Sequence, residues 1–118
     1  MTKNSFGTSI GLDVVEISRF KSVVKNKKYS FLKKVFSDLE VTYCLSFKDP
    51  SSHFAGIFAA KEAVSKALGV DKFPFAEVEI RHEKSGKPAA YKDGKKLKVS
   101  ISISHTDTIA AAVAIKLA

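Results

Sequence analysis

The stretch FAGIFAAKEAVSKALG, residues 54–69, predicts the helix around which the rest of the chain is organised. At 100° per residue, its apolar side collects Ile57, Ala60, Val64, Ala67 and Leu68. Glu62 and Lys66, one turn apart, lie on the other side among small residues and Phe58. A solvated face would carry more charges, so we expect this side to be half-buried, with a partner there for Glu62. An ordinary surface pair between Glu62 and Lys66 is the alternative.

Chain breaks set the limits of this helix. Asp49-Pro50 interrupts the preceding segment, and Ser51 or Ser52 is expected to cap the first helical turn. Gly69 is expected to end the helix, because glycine readily adopts the left-handed conformation that commonly follows a last turn.

The segment SIGLDVVE, residues 9–16, alternates enough to predict a strand. Asp13 shares its side of the strand with Gly11, and the opposite side carries Ile10, Leu12 and Val14. An ionised carboxylate in such a strand must be paired, coordinated or exposed at a sheet edge. Gly11 leaves room for another group to approach the backbone. Taken alone, the strand is compatible with a solvated Asp13 and with a functional one.

The remaining elements are predicted from apolar periodicity. Before residue 50, the periodicity predicts helices at residues 17–29, 30–36 and 39–47, the last one capped by Ser37 or Asp38. After residue 75, the pattern changes to the alternation of strands, at residues 76–83, 89–92, 96–104 and 109–117, with Asp93-Gly94 as a hairpin signal. The predicted fold class is α+β: one domain, residues 1–118, in which an antiparallel sheet packs with helices.

Composition bounds the class of protein. With 118 residues, of which 45% are hydrophobic and 27% charged, the chain is ordinary for one globular domain. Cys44 is the only cysteine, so it cannot form an internal disulfide, and its helical context predicts a core residue. The start MTKNSFGTSI lacks the long apolar segment of a signal peptide, and no stretch approaches about 18 continuous apolar residues. We therefore expect a cytoplasmic protein that does not associate with membranes.

The chain is strongly basic. A balance of 20 Lys and Arg against 12 Asp and Glu gives a net charge of +8. Such a field suits polyanionic partners, which include nucleic acid, nucleotide-like small molecules and acidic proteins. Part of the charge lies on the predicted helix 17–29, at Arg19, Lys21, Lys25, Lys27 and Lys28. This face is either a solvated surface or a docking surface.

Other chemical signals are sparse. His105 ends the serine-faced strand where the turn HTDT begins, and it is either a plain polar residue or a ligand-binding one. No Cys and His cluster has zinc spacing, and no glycine-rich phosphate loop of recognised form is present.

Three blocks taken together resemble the signature of a known family. GLDVVEISRF (residues 11–20), FAAKEAVSKALG (58–69) and SISHTDTIAAAVAI (102–115) are similar to the signature blocks of the holo-acyl-carrier-protein synthases. These are small phosphopantetheinyl transferases that modify acyl carrier proteins. The SGKP turn, residues 85–88, also matches the Gly-x-Pro that is typical of the family. The resemblance spans residues 10–115 and implies the 4′-phosphopantetheinyl transferase fold.

The resemblance implies a Mg²⁺-dependent reaction of coenzyme A that supports fatty acid biosynthesis. The 4′-phosphopantetheine group is transferred to a serine of apo acyl carrier protein, and adenosine 3′,5′-bisphosphate is released. By position, Asp13 and Glu62 bind Mg²⁺, a hard ion that is usually held by one or two carboxylates plus substrate phosphates. Glu62, directly or through a metal-bound water, is the nearest candidate for the base that accepts the serine proton.

The same resemblance implies how the two substrates bind. Lys66 faces the pyrophosphate of coenzyme A, His105 contacts one of its phosphates, and Gly86 and Pro88 belong to the turn at the coenzyme A site. The family docks its carrier protein on the helix after the first block, which assigns the carrier contacts to Arg19, Lys21, Lys25 and Lys28. The family is typically a homotrimer with active sites at subunit boundaries. His105 is therefore expected to serve a site whose Asp13 and Glu62 belong to the neighbouring chain.

Two positions depart from the family pattern. Ile57 stands where the family commonly has Arg, so a cation is missing unless Lys48 or Lys61 supplies it. Val70-Asp71 replaces the usual Thr-Gly after the helix, which affects the contacts of that loop with coenzyme A. Neither departure affects Asp13 or Glu62, the two predicted metal ligands.

Two alternatives accompany the transferase assignment. The first is a small basic nucleic-acid-binding module, in which Phe73, Phe75 and Tyr91 would stack on bases. Against it, no RNP-like aromatic block is present, and the serine-rich strand face carries no aromatic residue. The second is an inactive scaffold with the transferase fold, which the presence of Asp13, Glu62 and Lys66 disfavours.

Overall fold

The computed structural model describes residues 9–117 of the chain, so residues 1–8 and 118 of the predicted domain lie outside the described residues. Within this range the elements are β1 (Ser9–Glu16), α1 (Ser18–Lys25), α2 (Tyr29–Leu32), α3 (Asp38–Leu45), α4 (Pro50–Leu68), β2 (Val78–His82), β3 (Pro88–Lys92), β4 (Lys95–Lys96), β5 (Val99–His105) and β6 (Ile109–Lys116). The strands form two sheets, ordered β1-β6-β5 and β2-β3-β4, and every strand pair is antiparallel. The predicted α+β class is confirmed.

Helix α4 is the centre of the molecule and packs across the β1-β6-β5 sheet. The contact with β1 is close because Gly11 has no side chain. A Cβ at Gly11 would lie 2.8 Å from the amide nitrogen of Ala67 and would collide with the carbonyl of Ala63. The room left by Gly11 is therefore filled by the helix backbone, and alanines on α4 allow the same close approach along its length.

The sheet β1-β6-β5 has one covered and one uncovered face. Val15 of β1 points toward α4 and is 2% exposed, whereas Ile10, Leu12 and Val14 point outward and are 66%, 58% and 56% exposed. Val113 pairs with Leu12 in the register and lies on the same outer face. The apolar side of β1 is thus the outer face of the described chain.

Local capping sets the helix limits, and it corrects two predictions. Helix α1 ends at Lys25, earlier than the predicted residue 29, because Lys27 adopts a left-handed conformation (φ 52°). The amides of Lys27 and Lys28 then bond back to the carbonyls of Val24 and Val23, which is a Schellman motif. Helix α2 is likewise shorter than predicted, at Tyr29–Leu32.

The start of α4 also differs from the prediction. Neither Ser51 nor Ser52 caps it, since the helix begins at Pro50, with Asp49 at the N-cap position. Proline suits the first helical position because the missing N–H would have no partner inside the helix. The predicted end at Gly69 is confirmed (φ 66°).

Helix α3 shows the capping that was predicted for it. The Ser37 hydroxyl accepts from the Glu40 amide, and the Glu40 carboxylate accepts from the Ser37 amide. This capping box satisfies two backbone donors at the start of the helix.

The predicted strand 96–104 is divided between the two sheets. The Leu97 amide donates to the carbonyl of Ala90 in β3, whereas Val99 pairs with Lys116 of β6. The chain therefore leaves one sheet and enters the other within three residues. The Asp93-Gly94 hairpin is confirmed, and both residues have positive φ.

Candidate active site

Asp13 and Lys66 meet between β1 and α4. The Lys66 Nζ lies 3.3 Å from the Asp13 Oδ1 and donates to the Leu12 carbonyl at 2.9 Å. The Asp13 side chain is 15% exposed, so it is directed at the helix rather than at bulk water. Among the ion pairs of the described residues, Lys66 is joined to Asp13 and not to Glu62. The ordinary pair along one helix is therefore the wrong interpretation of Glu62 and Lys66.

Glu62 shares this site as a second carboxylate. Burial raises the pKa of the Glu62 carboxyl, repulsion from Asp13 raises it further, and Lys66 and Arg19 lower it. The repulsion shows that the two carboxylates are close to each other. Because the pKa of Glu62 is raised overall, Lys66 and Arg19 do not fully offset burial and this repulsion. Glu62 is half-buried, as the small residues around it predicted.

The donor set fits a Mg²⁺ ion. Two carboxylates from separate elements, in mutual repulsion and partly shielded from water, gain stability when a hard divalent cation lies between them. Within residues 9–117, no group of three or more His, Cys, Asp or Glu side chains is placed to hold a metal ion. A site of two carboxylates leaves the other coordination positions to water and phosphate oxygens, which is the arrangement that Mg²⁺ favours.

His105, Gly86 and Pro88 lie together in a different place. They line a cleft of about 190 Å³ between the start of α4, the β2–β3 turn and the end of β5. Gly86 has φ 90°, a conformation that a residue with a side chain rarely adopts, and this allows the tight turn before Pro88. His105 is exposed at the end of β5. Three of the four residues predicted at coenzyme A are thus neighbours, and the fourth, Lys66, is at the carboxylates.

The two clusters occupy opposite sides of α4. Glu62 follows His53, which lines the cleft, by nine residues. At 1.5 Å and 100° per residue, this spacing places them about 13 Å apart along the axis and on opposite faces. One chain therefore does not bring the carboxylates and His105 to a common point.

The residues predicted to bind the carrier protein form an exposed basic surface on and after α1. Arg19, Lys21, Lys25 and Lys28 are all exposed. The Arg19 guanidinium lies 5.4 Å from the centre of the Phe58 ring and lowers the pKa of Glu62. The basic surface therefore begins beside the carboxylate site.

Lys61 is not available to replace the missing arginine at Ile57. It is fully buried and forms an ion pair with Glu40, and its Nζ donates to the carbonyls of Val35 and Phe75. Glu40 also accepts from the Ile80 amide at 2.6 Å. This pair ties α3, α4 and β2 together, and the suggestion that Lys61 serves a substrate is wrong. Lys48 remains exposed.

Sequence reasoning missed two residues of the cleft, His53 and His82. No spacing rule connects them, because they come from different elements that are far apart in the chain. The sequence shows only that the chain has three histidines, and the structure places all three around this cleft.

Known proteins share the sequence pattern and the fold. The family model described as the 4′-phosphopantetheinyl transferase superfamily matches residues 9–116. The chain belongs to this superfamily. A holo-[acyl-carrier-protein] synthase of Chlorobaculum tepidum is 41% identical over 111 residues, covering 90% of this chain and 95% of the relative. One of Syntrophus aciditrophicus is 37% identical, covering 89% and 91%.

Solved structures of the superfamily agree. The Helicobacter pylori holo-[acyl-carrier-protein] synthase in complex with coenzyme A is 35% identical, with a TM-score of 0.75, covering 89% of this chain and 96% of that one. The Bacillus anthracis enzyme, in complex with coenzyme A (3′,5′-ADP), is 29% identical, with a TM-score of 0.76, covering 91% and 93%. The predicted family, fold and transferase class are confirmed.

The aromatic residues offered for base stacking are engaged elsewhere. Phe75 packs against Phe58 and Phe73, with ring centres 6.2 Å and 5.0 Å away, and the Tyr91 ring is covered by the Arg81 guanidinium. These rings stabilise the fold, and they are not presented as a stacking platform. The structure therefore adds nothing in favour of the nucleic-acid alternative.

Proposed function

We propose that this chain transfers 4′-phosphopantetheine from coenzyme A to a serine of apo acyl carrier protein and releases adenosine 3′,5′-bisphosphate. The observation that carries the proposal is the meeting of Asp13, Glu62 and Lys66 between β1 and α4. Relatives that cover most of the chain are named holo-[acyl-carrier-protein] synthases, which supports the same substrates here.

Asp13 and Glu62 would hold a Mg²⁺ ion, which supplies charge neutralisation at the pyrophosphate of coenzyme A. Lys66 adds a point charge for the same oxygens. Its long side chain bonds to Asp13 and the Leu12 carbonyl and is 53% exposed, so it can turn toward a phosphate, and Mg²⁺ would then replace it as the partner of Asp13.

Glu62 accepts the proton of the attacking serine, directly or through an intervening water. The serine oxygen bonds to the phosphorus next to the pantetheine, and the bond from that phosphorus to the bridging oxygen of the adenylate half breaks. The electron pair leaves with adenosine 3′,5′-bisphosphate.

The basic surface at Arg19, Lys21, Lys25 and Lys28 docks the acidic carrier protein. Complementary charge of this kind mainly raises the association rate and selects the partner. Because Arg19 lies beside Glu62, a carrier bound here presents its serine to the carboxylate site. Reversal of Arg19 to Glu is expected to raise the KM for the carrier at low salt, with little change in the KM for coenzyme A. An unchanged carrier KM would contradict the assignment.

We further propose a homotrimer with active sites at the subunit boundaries. A single chain places the carboxylates and the proposed coenzyme A cleft on opposite sides of α4, and this separation supports a site completed by a neighbouring chain. The outer face of the β1-β6-β5 sheet offers the contact, since Ile10, Leu12 and Val14 are all more than half exposed. A second copy of the chain is the partner that fits both observations.

The domain is assigned to residues 1–118 and the activity to the cytoplasm, where it would support fatty acid biosynthesis. In residues 9–117, no helix is long and apolar enough to cross a membrane. Neither nucleic acid nor a membrane is expected as a partner.

The direct test incubates the protein with apo acyl carrier protein, coenzyme A and Mg²⁺ and determines the mass of the carrier by mass spectrometry. The expected result is a carrier heavier by one phosphopantetheine group, with the gain abolished by Asp13→Asn. Asp93→Asn, at an exposed hairpin position outside the site, is the matched control and should retain the gain. A carrier of unchanged mass with the wild-type protein would refute the proposed function.

A further inference from the structure

All three histidines of the chain converge on one cleft. His53 lies in the first turn of α4, His82 is the last residue of β2, and His105 is the last residue of β5. Ile57, which lines the same cleft, contributes no charge. The cationic capacity of this cleft therefore depends on imidazoles drawn from three separate elements.

Aromatic packing orders two of the rings. His53 stacks on Phe47, with ring centres 3.5 Å apart, and His82 stacks on Tyr43, with centres 4.5 Å apart. The His105 ring centre is 6.5 Å from that of His53. Among the hydrogen bonds of the described residues, none uses a ring nitrogen of His53 or His82, so these nitrogens are available to a ligand in the cleft.

The chemistry of the cleft favours an anion over a metal. No group of three His, Cys, Asp or Glu side chains in the described part of the chain is placed to hold one metal ion. Burial lowers the pKa of His53, and repulsion from His105 and His82 lowers it further, while burial alone lowers the pKa of His82. Burial and mutual repulsion thus disfavour several protonated imidazoles in the cleft of the free protein. An anion that binds there offsets both the burial and the repulsion.

Few other charges face the cluster. Asp49, just before α4, raises the pKa of His53, which partly offsets the burial. Tyr43 of α3 lines the cleft, and burial raises the pKa of its phenol, so it stays uncharged near neutral pH. No Lys, Arg, Asp or Glu is among the described residues that line the cleft, so its titratable lining groups near neutral pH are imidazoles.

We propose, on the basis of the function proposed above, that His53 and His82 join His105 in a proton-linked site for the phosphate monoester of coenzyme A. The pyrophosphate is assigned to Asp13, Glu62 and Lys66 of a neighbouring chain, so the monoester is the phosphate left for this cleft. A monoester dianion carries more charge than one histidine offsets, and it therefore favours protonation of the two rings beside it. Binding of coenzyme A takes up protons, and affinity declines as pH rises.

The direction of proton movement identifies the groups involved. Near pH 7 the monoester, with a second pKa of about 6, is mostly a dianion, and binding of the dianion would release a small amount of proton by itself. Net uptake must therefore come from protein groups whose pKa rises in the complex, and the histidine variants and dephospho-coenzyme A distinguish the imidazoles from Glu62.

The test is calorimetric titration with coenzyme A at about pH 7 in two buffers of different ionisation enthalpy. We expect uptake of roughly half a proton or more per coenzyme A by the wild-type protein. His53→Gln and His82→Gln should each reduce it, and the double variant should remove most of it and weaken binding about tenfold at pH 6. Lys95→Gln, at an exposed hairpin position outside the cleft, is the matched control and should change neither quantity.

Two further measurements keep the inference testable if a variant folds poorly. In the wild-type protein, imidazole NMR signals come only from these three residues, and addition of coenzyme A should raise the pKa of His53 and His82. Dephospho-coenzyme A, which lacks the monoester, should bind without net proton uptake.

The outcomes separate this inference from the function on which it rests. Coenzyme A binding without proton uptake, uptake that persists in the double variant, or equal uptake with dephospho-coenzyme A would each overturn the histidine site and leave the transferase activity intact. Failure of the wild-type protein to bind coenzyme A and to modify the carrier would overturn both.

Discussion

The surroundings of Glu62 destabilise its ionised carboxylate in the folded protein, at the position where a metal ligand and a base are proposed. Its carboxyl is half-buried and repelled by Asp13, and burial is the larger cause of its raised pKa. A folded-state pKa above the unfolded value means that the contribution of this residue to the free energy of unfolding is greatest at low pH and declines as pH rises through the raised value. The metal-free protein therefore loses some stability at neutral pH through this residue.

A Mg²⁺ ion between the carboxylates should reverse that loss. We expect Mg²⁺ to raise the Tm of the wild-type protein near neutral pH and to have little effect in acid, where Glu62 is protonated. Differential scanning fluorimetry at several pH values measures the shift. Glu62→Gln should abolish the Mg²⁺ effect without lowering the Tm of the metal-free protein, while Glu77→Gln, at an exposed position, should behave as wild type. A Mg²⁺ effect that survives Glu62→Gln would contradict the assignment.

The same variant tests whether the reaction needs Glu62, which is proposed both as a metal ligand and as the base. Loss of a positioned general base typically slows a reaction by about 10²–10⁴-fold. We expect Glu62→Gln to reduce kcat for carrier modification within that range, measured by the mass gain of the carrier with time. A rate within threefold of wild type, in a variant of normal Tm, would exclude Glu62 from the chemistry.

Lys61, next to Glu62 in sequence, has a structural role as the partner of Glu40 in a buried ion pair. Its charge and that of Glu40 are both fully buried and paired, so removal of one partner leaves the other uncompensated. Lys61→Met is expected to lower the free energy of unfolding by about 3–5 kcal/mol in urea denaturation. The double variant with Glu40→Gln should recover part of the loss, because it removes the stranded charge. A single variant as stable as wild type would show that the pair is not needed.

At the scale of elements, the contact between β1 and α4 places the two acids side by side. It depends on Gly11, where a Cβ would meet backbone atoms of Ala63 and Ala67 that cannot move aside. Asp13 is two residues further along the same face of the strand, so any displacement of β1 also moves Asp13 away from α4. The local glycine thus controls the geometry of the site.

We therefore expect Gly11→Ala to lower stability by about 3 kcal/mol and to reduce the Tm shift caused by Mg²⁺. Gly56→Ala is the matched comparison on α4, since its Cβ would meet a side-chain atom, the Cγ2 methyl of Ile103 at 3.1 Å, and no backbone atom outside its own helix within 4 Å. Denaturation curves of the two variants measure the difference. Equal, small losses for both would mean that the close approach is not required.

At the scale of the whole molecule, the site is divided between two faces of α4. If neighbouring chains complete it, two inactive variants should restore activity to each other. Asp13→Asn and His105→Gln damage different halves, and in mixed trimers some boundaries combine an intact Asp13 with an intact His105. We expect each variant alone to be nearly inactive and their mixture, after denaturation and refolding together, to regain a measurable fraction of wild-type activity.

The control for this experiment is a mixture of Asp13→Asn with Glu62→Gln, which damage the same half and should not complement. Leu12→Glu, on the exposed outer face of β1, should reduce the molar mass measured by light scattering to that of one chain. Complementation that fails, while the wild-type protein is trimeric and active, would place both halves of the site within one subunit.

Much of this protein could be predicted from the sequence. The strand at residues 9–16, the end of α4 at Gly69, the hairpin at Asp93-Gly94 and the antiparallel α+β class depend on local periodicity and turn chemistry, which neighbouring residues determine. Helix α1 was predicted too long because Lys27 adopts a left-handed conformation that is uncommon for residues other than glycine. The prediction of a half-buried Glu62 also held, since it needed only the residues on its own helix.

Only the tertiary structure decided which groups meet across elements. The partner of Lys66 is Asp13 and not Glu62, Lys61 is paired inside the core, and the apolar side of β1 faces outward. The convergence of His53, His82 and His105 likewise depends on how their three elements pack together. A sequence records which side chains a segment presents, but the distance between side chains of different segments depends on how those segments pack.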